Sequence, residues 1–324
     1  MRSDAKLLLL NRHAVNALLD PADVLGAVRD AFEVHSRQEG RVFPVIREAL
    51  STGGVFGIKA GDIASQDLLG FKAAGFWPQN RQLGAEPHQA TVMLFDPHTG
   101  RPLCVMDGNT ITTVRTGAAG ALGLLHVARA DSATLTVFGT GVQARSQLAF
   151  ALQVMPLLRH VHYVTVDRQP DPFFEKQFAE RCQLTCARDA NEAVSQSDIV
   201  ITATPGGGAL FDVDAVRSGT HLNCVGADTR GKRELPPGLL ASANAIVVDD
   251  RQQAAQLGEL QWAPELPCVE LGDVITGTTP FARKPSDITV FDMTGIALQD
   301  MTVARLLYQK AMTNGTGQGI DWPW

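Results

Sequence analysis

The chain has 324 residues, room for two domains at about 150 residues each, and 45% apolar against 19% charged residues are enough for two hydrophobic cores. Thirty-four acidic against twenty-eight basic residues give a formal charge of −6, and no lysine- or arginine-rich run is present to track a phosphate backbone, which argues against a nucleic-acid partner. The longest N-terminal apolar run, Leu7 to Leu10, is far shorter than a secretory h-region or a ~20-residue membrane span, so the expected setting is the cytoplasm, without a membrane partner.

In chain order, a helix is predicted over residues 22–37, followed by short strands at 55–60, 69–74 and 89–95. Asp96-Pro-His-Thr-Gly100 punctuates them as a turn, since Pro97 presets φ and Gly100 permits a positive one. This texture predicts an α+β unit on a mostly antiparallel sheet, residues 1–125. Three cations in it stand out. Arg47 follows Phe43-Pro-Val-Ile46, Lys72 lies inside Leu68-Leu-Gly-Phe-Lys-Ala-Ala-Gly-Phe-Trp77, and Arg115 interrupts Thr112-Thr-Val-Arg-Thr-Gly-Ala-Ala-Gly120 where a helix begins. A cation among apolar neighbours needs an anionic partner, and for any one of them an internal salt bridge suffices. The three together suit an anionic substrate, because the fork of an arginine matches a carboxylate in two parallel bonds.

From about residue 132 one rhythm repeats, in which a short β-branched run ends in glycine, threonine or aspartate and a helical stretch follows. The runs are 134–138, 161–166, 198–203, 221–225, 245–248 and 288–291. Six strands alternating with helices predict an α/β, doubly wound parallel sheet of the Rossmann type over residues 126–299. Burial on both faces explains why these runs are apolar almost without alternation. The last run leads into a helix over 295–310 that returns to the N-terminal half, which residues 300–324 complete. The tail 313–324, rich in glycine and polar residues, is expected to be loosely held.

Gly139-Thr140-Gly141-Val142-Gln143-Ala144 follows the first of these strands and opens a helix, the context that a dinucleotide fingerprint requires. Gly139 makes the tight turn, Gly141 lets the backbone approach a pyrophosphate, and Ala144 is the third small residue; the free N–H groups at the helix start hold phosphate. The second strand ends in Asp167-Arg168, 28 residues after Gly139. A carboxylate there accepts from ribose hydroxyls and favours NAD, whereas Arg168 could pair a 2′-phosphate and leaves NADP possible; a solvated strand end is the plain alternative. His221-Leu-Asn-Cys-Val-Gly-Ala-Asp228 places Asp228 beyond a strand's carboxyl end, either facing a nicotinamide pocket or capping the segment that follows. Five scattered cysteines read as free thiols, and His160 with His162 lacks a third ligand nearby, so no metal is indicated.

Taken together, His88-Gln-Ala-Thr91, Met106-Asp-Gly-Asn109, Arg115-Thr-Gly-Ala-Ala119, Gly139-Thr-Gly-Val-Gln-Ala144 and Val225-Gly-Ala-Asp-Thr-Arg-Gly-Lys-Arg-Glu-Leu235 resemble the ornithine cyclodeaminase/μ-crystallin family over nearly the whole chain. Phe43-Pro-Val-Ile-Arg-Glu-Ala49, Leu69-Gly-Phe-Lys-Ala-Ala-Gly-Phe-Trp-Pro78 and Phe291-Asp-Met-Thr-Gly-Ile-Ala-Leu-Gln-Asp300 are most similar to its iminosuccinate reductase-like members. The resemblance implies a homodimer joined through the N-terminal sheets, with the active site between the domains. It also implies that Arg47, Lys72 and Arg115 hold a substrate carboxylate, that Asp228 handles protons at the reacting nitrogen, that His88 and Thr116 lie near the cofactor, and that Thr204 and Gly295 line its pocket. The spacing of Asp167-Arg-Gln-Pro-Asp-Pro172 departs from the family pattern.

The expected activity is NAD(P)H-dependent reduction of a small-molecule α-imino acid to an L-amino acid. For an iminosuccinate-type substrate, His88, Gln89 or Asn80 would meet the second carboxylate. Two alternatives remain: ornithine cyclodeamination with a recycled cofactor, and a μ-crystallin-like binding protein without turnover.

Overall fold

In a computed structural model that describes residues 5–322, the chain divides after Arg115 and again after Gly295, so that one unit joins the N-terminal part to the segment from Ile296 onward and the other is Thr116–Gly295. The first division falls inside the helix Gly108–Val127. Each unit has its own eight-stranded sheet.

In the first unit the strand order is Gln318–Asp321, Lys6–Leu10, Pro102–Asp107, His88–Phe95, Leu68–Phe76 and Val55–Ile63, with Gly40–Val42 and Ile46–Ala49 both pairing on the last. Lys6–Leu10 runs parallel to Pro102–Asp107, and the other pairings are antiparallel. The helix Pro21–Ser36 begins where Asp20 accepts from the backbone of Ala22 at 2.9 Å and Pro21 fills the first turn, and it buries Val24, Val28, Ala31 and Phe32. At the 96–100 turn, Asp96 accepts from Thr99 Oγ1 at 2.6 Å and Gly100 takes φ +71°. The strands extend further than the apolar pattern predicts, over Val55–Ile63 and Leu68–Phe76, and Gly61 and Gly70 make room for a helix. A Cβ on Gly61 would stand 2.3 Å from Arg41 O and 3.3 Å from Met301 Cε, and one on Gly70 would stand 3.4 Å from Met301 Sδ. Met301 belongs to the helix Ala297–Asn314, which thereby seats on this face of the sheet.

The tail corrects the expectation of a loose end. Gln318–Asp321 pairs antiparallel with the N-terminal strand, Ile320 opposite Leu7. Without it the Lys6–Leu10 strand would carry an open row of backbone donors and acceptors, and the polar, glycine-rich composition hides a strand held by main-chain bonds and by the ion pair of Lys6 with Asp321. Pro323 and Trp324 lie outside the described residues.

The second unit is the parallel, doubly wound sheet the sequence predicts. Its order is Gln183–Cys186, His160–Val164, Thr134–Phe138, Ile199–Thr202, His221–Cys224, Thr289–Asp292, Ala245–Val248, Val269–Glu270, all parallel. Two strands were not predicted. Gln183–Cys186 is an edge strand of polar residues alternating with half-buried ones, and Val269–Glu270 is too short to leave a pattern. The order reverses on either side of Thr134–Phe138, and ligands of open parallel sheets bind at that switch, beyond the carboxyl ends of the strands. All five cysteines are free, and among the described residues no helix is long and apolar enough to cross a membrane.

Gly61→Val should place branched carbons against Arg41 O and Met301, destabilising the first unit by about 1–3 kcal/mol. A lowered Tm checks this; an unchanged Tm would show that the helix seats elsewhere.

Candidate functional site

Register in the first unit collects cations on one face of the sheet. Arg47 lies opposite Gly57, Lys59 opposite Lys72, and Phe76 opposite His88, so Arg47, Lys59, Lys72 and His88 share a face, the one on which Gly61 and Gly70 receive Met301. Lys72 is 4% exposed, and its Nζ lies 2.9 Å from Asp300 Oδ1 and 2.8 Å from Oδ2. Arg115 donates Nε to the same Oδ1 at 3.1 Å and Nη1 to Gln299 Oε1 at 3.0 Å. Asp300 stands in the first turn of its helix, where the dipole favours a carboxylate.

Burial drives the Lys72 ammonium down to about 7; Asp300 opposes this, while Arg115 and Lys59 push the same way as burial. For Asp300, burial acts upward, but the charges of Lys72 and Arg115 outweigh it and hold the carboxyl below its ordinary value. One carboxylate therefore faces two buried cations, with Lys59 directly opposite Lys72.

The structure brings Lys72 and Arg115 together through Asp300 and places Arg47 and His88 on the face of Lys72. His88 Nδ1 lies 3.0 Å from Asn109 Oδ1. Gln89 is not brought to them. Adjacent strand residues point to opposite faces, so it lies away from Lys72, exposed, donating Nε2 to Glu86 O at 2.8 Å; Asn80 donates Nδ2 to the same oxygen at 3.1 Å. Asp300, Gln299 and Lys59 went unassigned in the sequence. The available signal was two polar residues, Gln299-Asp300, inside an apolar helical pattern, which only a buried partner tolerates.

In the second unit, Gly139 takes φ +96° and its N–H donates to Val164 O at 2.9 Å. A Cβ there would meet Ala203 O at 2.9 Å, and Ala144 packs beside it, so this glycine is required by the turn itself. Gly141 differs: it is extended, starts the helix Val142–Val154, and a Cβ on it would meet no protein atom within 4 Å. The space above it is a cradle that a side chain would fill and a pyrophosphate fits, with the free N–H groups of Val142 and Gln143 at the helix start. Thr116, buried in the helix Gly108–Val127, accepts from Gln147 Nε2 at 2.7 Å through its carbonyl oxygen.

Glu234 ties the loops beyond two strands. Its Oε1 accepts from Thr204 N and Oγ1, both at 2.7 Å, and its Oε2 accepts from Gly226 N at 2.8 Å. Gly226 must be glycine, since a Cβ would lie 2.3 Å from Thr204 O. Asp228, two residues on, is held by Lys232 Nζ at 2.7 Å and Thr229 Oγ1 at 3.1 Å. Both partners belong to the segment that follows, a turn in which Lys232 N–H donates to Thr229 O at 3.1 Å, as the capping alternative expects. Gly295 takes φ +79° and donates its N–H to Asp249, which also accepts from Thr294 N at 2.8 Å. Asp167 is exposed and accepts from Gln169 N at 3.1 Å, closing a turn in which Arg168 takes φ +59°.

The profile of the ornithine cyclodeaminase/mu-crystallin family matches residues 5–315. An iminosuccinate reductase of Paracoccus denitrificans (strain Pd 1222) is 32% identical over 326 residues, covering 97% of this chain and 100% of its own; a crystal structure of the iminosuccinate reductase of P. denitrificans with NAD+ superposes with TM-score 0.88 at 30% identity, 98% of this chain and 100% of that one. An archaeal alanine dehydrogenase dimer with bound NAD gives TM-score 0.92 at 29% identity, covering 98% and 100%. The Δ1-pyrroline-2-carboxylate reductase of Thermococcus litoralis, in complex with NADH and L-proline, gives 0.88 at 28%, covering 97% and 100%.

Asp300→Ala strands two buried cations and should cost about 3–5 kcal/mol of stability, whereas Lys72→Met leaves Arg115 to pair Asp300 and should cost clearly less. Urea unfolding of the two variants checks the order.

Proposed function

Because the chain belongs to the ornithine cyclodeaminase/mu-crystallin family, we propose that it is an NAD(P)H-dependent oxidoreductase that reduces an α-imino acid to an L-amino acid. The observation that carries this reading is the buried pair Lys72 and Arg115 sharing one carboxylate, Asp300, a cluster with cationic charge to spare. Iminosuccinate and Δ1-pyrroline-2-carboxylate both hold a C=N carbon next to a carboxylate, the group such a cluster receives.

The dinucleotide is held by the glycine loop, Gly139 to Gln143, with Thr116, Asp167, Arg168, Thr204 and Gly295 around it. When bound in reduced form it supplies hydride to the imine carbon. Arg47, Lys72 and Arg115 bind the substrate carboxylate and so fix the orientation of the C=N group. His88 is the donor for a second carboxylate. A protonated imine is far more electrophilic than a neutral one, and Asp228 stabilises that proton, with Lys232 and Thr229 setting its carboxylate. The protein acts as a homodimer, as the alanine dehydrogenase relative does. The sheet face away from Met301 suits that role: Phe71, Met93 and Phe95 are half-buried on it and Ile46 is 50% exposed. Phe71→Asp should yield monomers by sedimentation.

NADH oxidation with a panel of 2-oxo acids plus ammonia tests the activity, with oxaloacetate the expected best partner. Arg115→Ala should lose turnover and retain NADH binding. Ammonia release from ornithine without net cofactor turnover would overturn the reading in favour of cyclodeamination. The pH profile tests the site itself. Lys72 binds the carboxylate as a cation, so kcat/KM for imine reduction should fall as pH rises through about 7. Asp300 raises the Lys72 value, so Asp300→Asn should move that fall to lower pH by roughly 1 unit or more, and Lys72→Arg, charged throughout, should abolish it.

A further inference from the structure

The helix Ala297–Asn314, which carries Asp300, rests on glycines. A Cβ on Gly40 would stand 2.7 Å from Leu298 Cδ1, and Met301 lies over Gly61 and Gly70, which face each other across their two strands. A glycine surface met by a flexible thioether offers no knob against sliding, so apolar packing seats the helix without fixing its position along the strands. Polar anchors must fix it. Asp300 is one, through Lys72 and Arg115.

The other lies one turn past Met301. Arg305, four residues on and so on the same side of the helix, donates Nη2 to Asp30 Oδ2 at 3.0 Å and Nη1 to Gln66 Oε1. Gln66 in turn donates Nε2 to both oxygens of Asp30, at 3.2 and 3.1 Å. These three side chains close a ring of hydrogen bonds between the helix that carries Asp300, the helix Pro21–Ser36 and the turn Ala64–Gln66. That turn joins the strands of Lys59 and Lys72. The helix is therefore tied to one hairpin at two points, Asp300 to the middle of Leu68–Phe76 and Arg305 to the turn before it, about 7 Å apart along the helix axis. With a guanidinium fork meeting two acceptors at once, the second tie is directional, which a lysine ammonium would not reproduce.

We infer that Arg305, with Gln66 and Asp30, is the positioning group that sets where Asp300 meets Lys72 and Arg115, and through Asp300 governs the pH range over which the site receives a substrate carboxylate. This rests on the reading of Lys72 as a carboxylate ligand. The charges that act on Lys72 are Asp300 from the helix Ala297–Asn314, Arg115 from the helix Gly108–Val127 and Lys59 from the strand on one side; on the other side its strand partner is the uncharged Val92. Of these only Asp300 favours the ammonium. A helix that slips lengthens the 2.8 and 2.9 Å contacts of Asp300 with Lys72 Nζ, and Lys72 then loses its proton at lower pH.

The test follows three readouts on the whole protein: the pH at which kcat/KM for oxaloacetate with ammonia falls, the urea midpoint, and NADH binding by fluorescence. Arg305→Met and Gln66→Leu should each move the fall to lower pH by about half a unit or more and raise KM more than they change kcat, with NADH binding within about twofold of the unaltered protein. Arg305→Lys, which keeps the charge and loses the fork, should recover only part of the shift. Lys310 ties the same two helices through Asp23 at 2.6 Å, ten residues from Asp300. Lys310→Met should therefore lower the urea midpoint and leave the pH profile in place. Lowered urea midpoints with an unmoved pH profile and KM in Arg305→Met and Gln66→Leu would overturn the inference and leave Lys72 as the carboxylate ligand. If Arg305→Met does not fold, Gln66→Leu, which removes no charge, decides alone. An unmoved pH profile in Asp300→Asn as well would overturn the reading of Lys72 together with the inference.

Discussion

Asp300 is the constraint on which the first unit turns. A carboxylate 1% exposed at the start of an amphipathic helix cannot remain ionised in an apolar setting without cations, and Lys72 from a central strand and Arg115 from the helix Gly108–Val127 supply two. The same contact locates three elements relative to one another and leaves a positive remainder on the sheet face shared with Arg47, Lys59 and His88. Burial, with the charges of Arg115 and Lys59, brings the Lys72 ammonium down to about 7 against the pull of Asp300.

The second unit solves a related problem with the opposite sign. Glu234, Asp249, Glu259 and Asp292 are all buried near the carboxyl edge of the parallel sheet. Glu234 accepts from Thr204 and Gly226, Asp249 from Thr294 and Gly295, Glu259 from the backbone of Glu234 at 2.6 Å, and Asp292 from Leu260 N at 2.9 Å. Glu234, Asp249 and Glu259 thus hold main-chain N–H groups of segments that follow strands, and Asp292 holds the turn 259–262 after the helix Arg251–Leu257. Burial pushes Glu259 up to about 7 and raises Asp292 well above the usual carboxylate range.

Local periodicity and turn chemistry made most of the architecture legible. Continuous β-branched runs and a glycine loop at 139–144 were sufficient for a parallel sheet with a cofactor edge, because both are local consequences of burial on two faces and of a backbone turn that only glycine adopts. Lys72 and Arg115 stood out for a similar reason, as charges in apolar surroundings. What these cations faced was not legible. Asp300 lies 228 residues from Lys72, and an amphipathic pattern records that a side chain is buried without recording its partner.

The sequence by itself determined two folding units, the glycine turn and the need for anions beside three cations, since these follow from spacing and solvation along the chain. Tertiary structure alone decided that Asp300 answers two of those cations, that Gln89 points to the other face of its strand, that Glu234 ties the Thr204 and Gly226 loops, and that the tail closes the edge of the first sheet. Register, pairing and long-range ion contacts bring together residues far apart in sequence, and local preference carries no information about which distant group completes a pair.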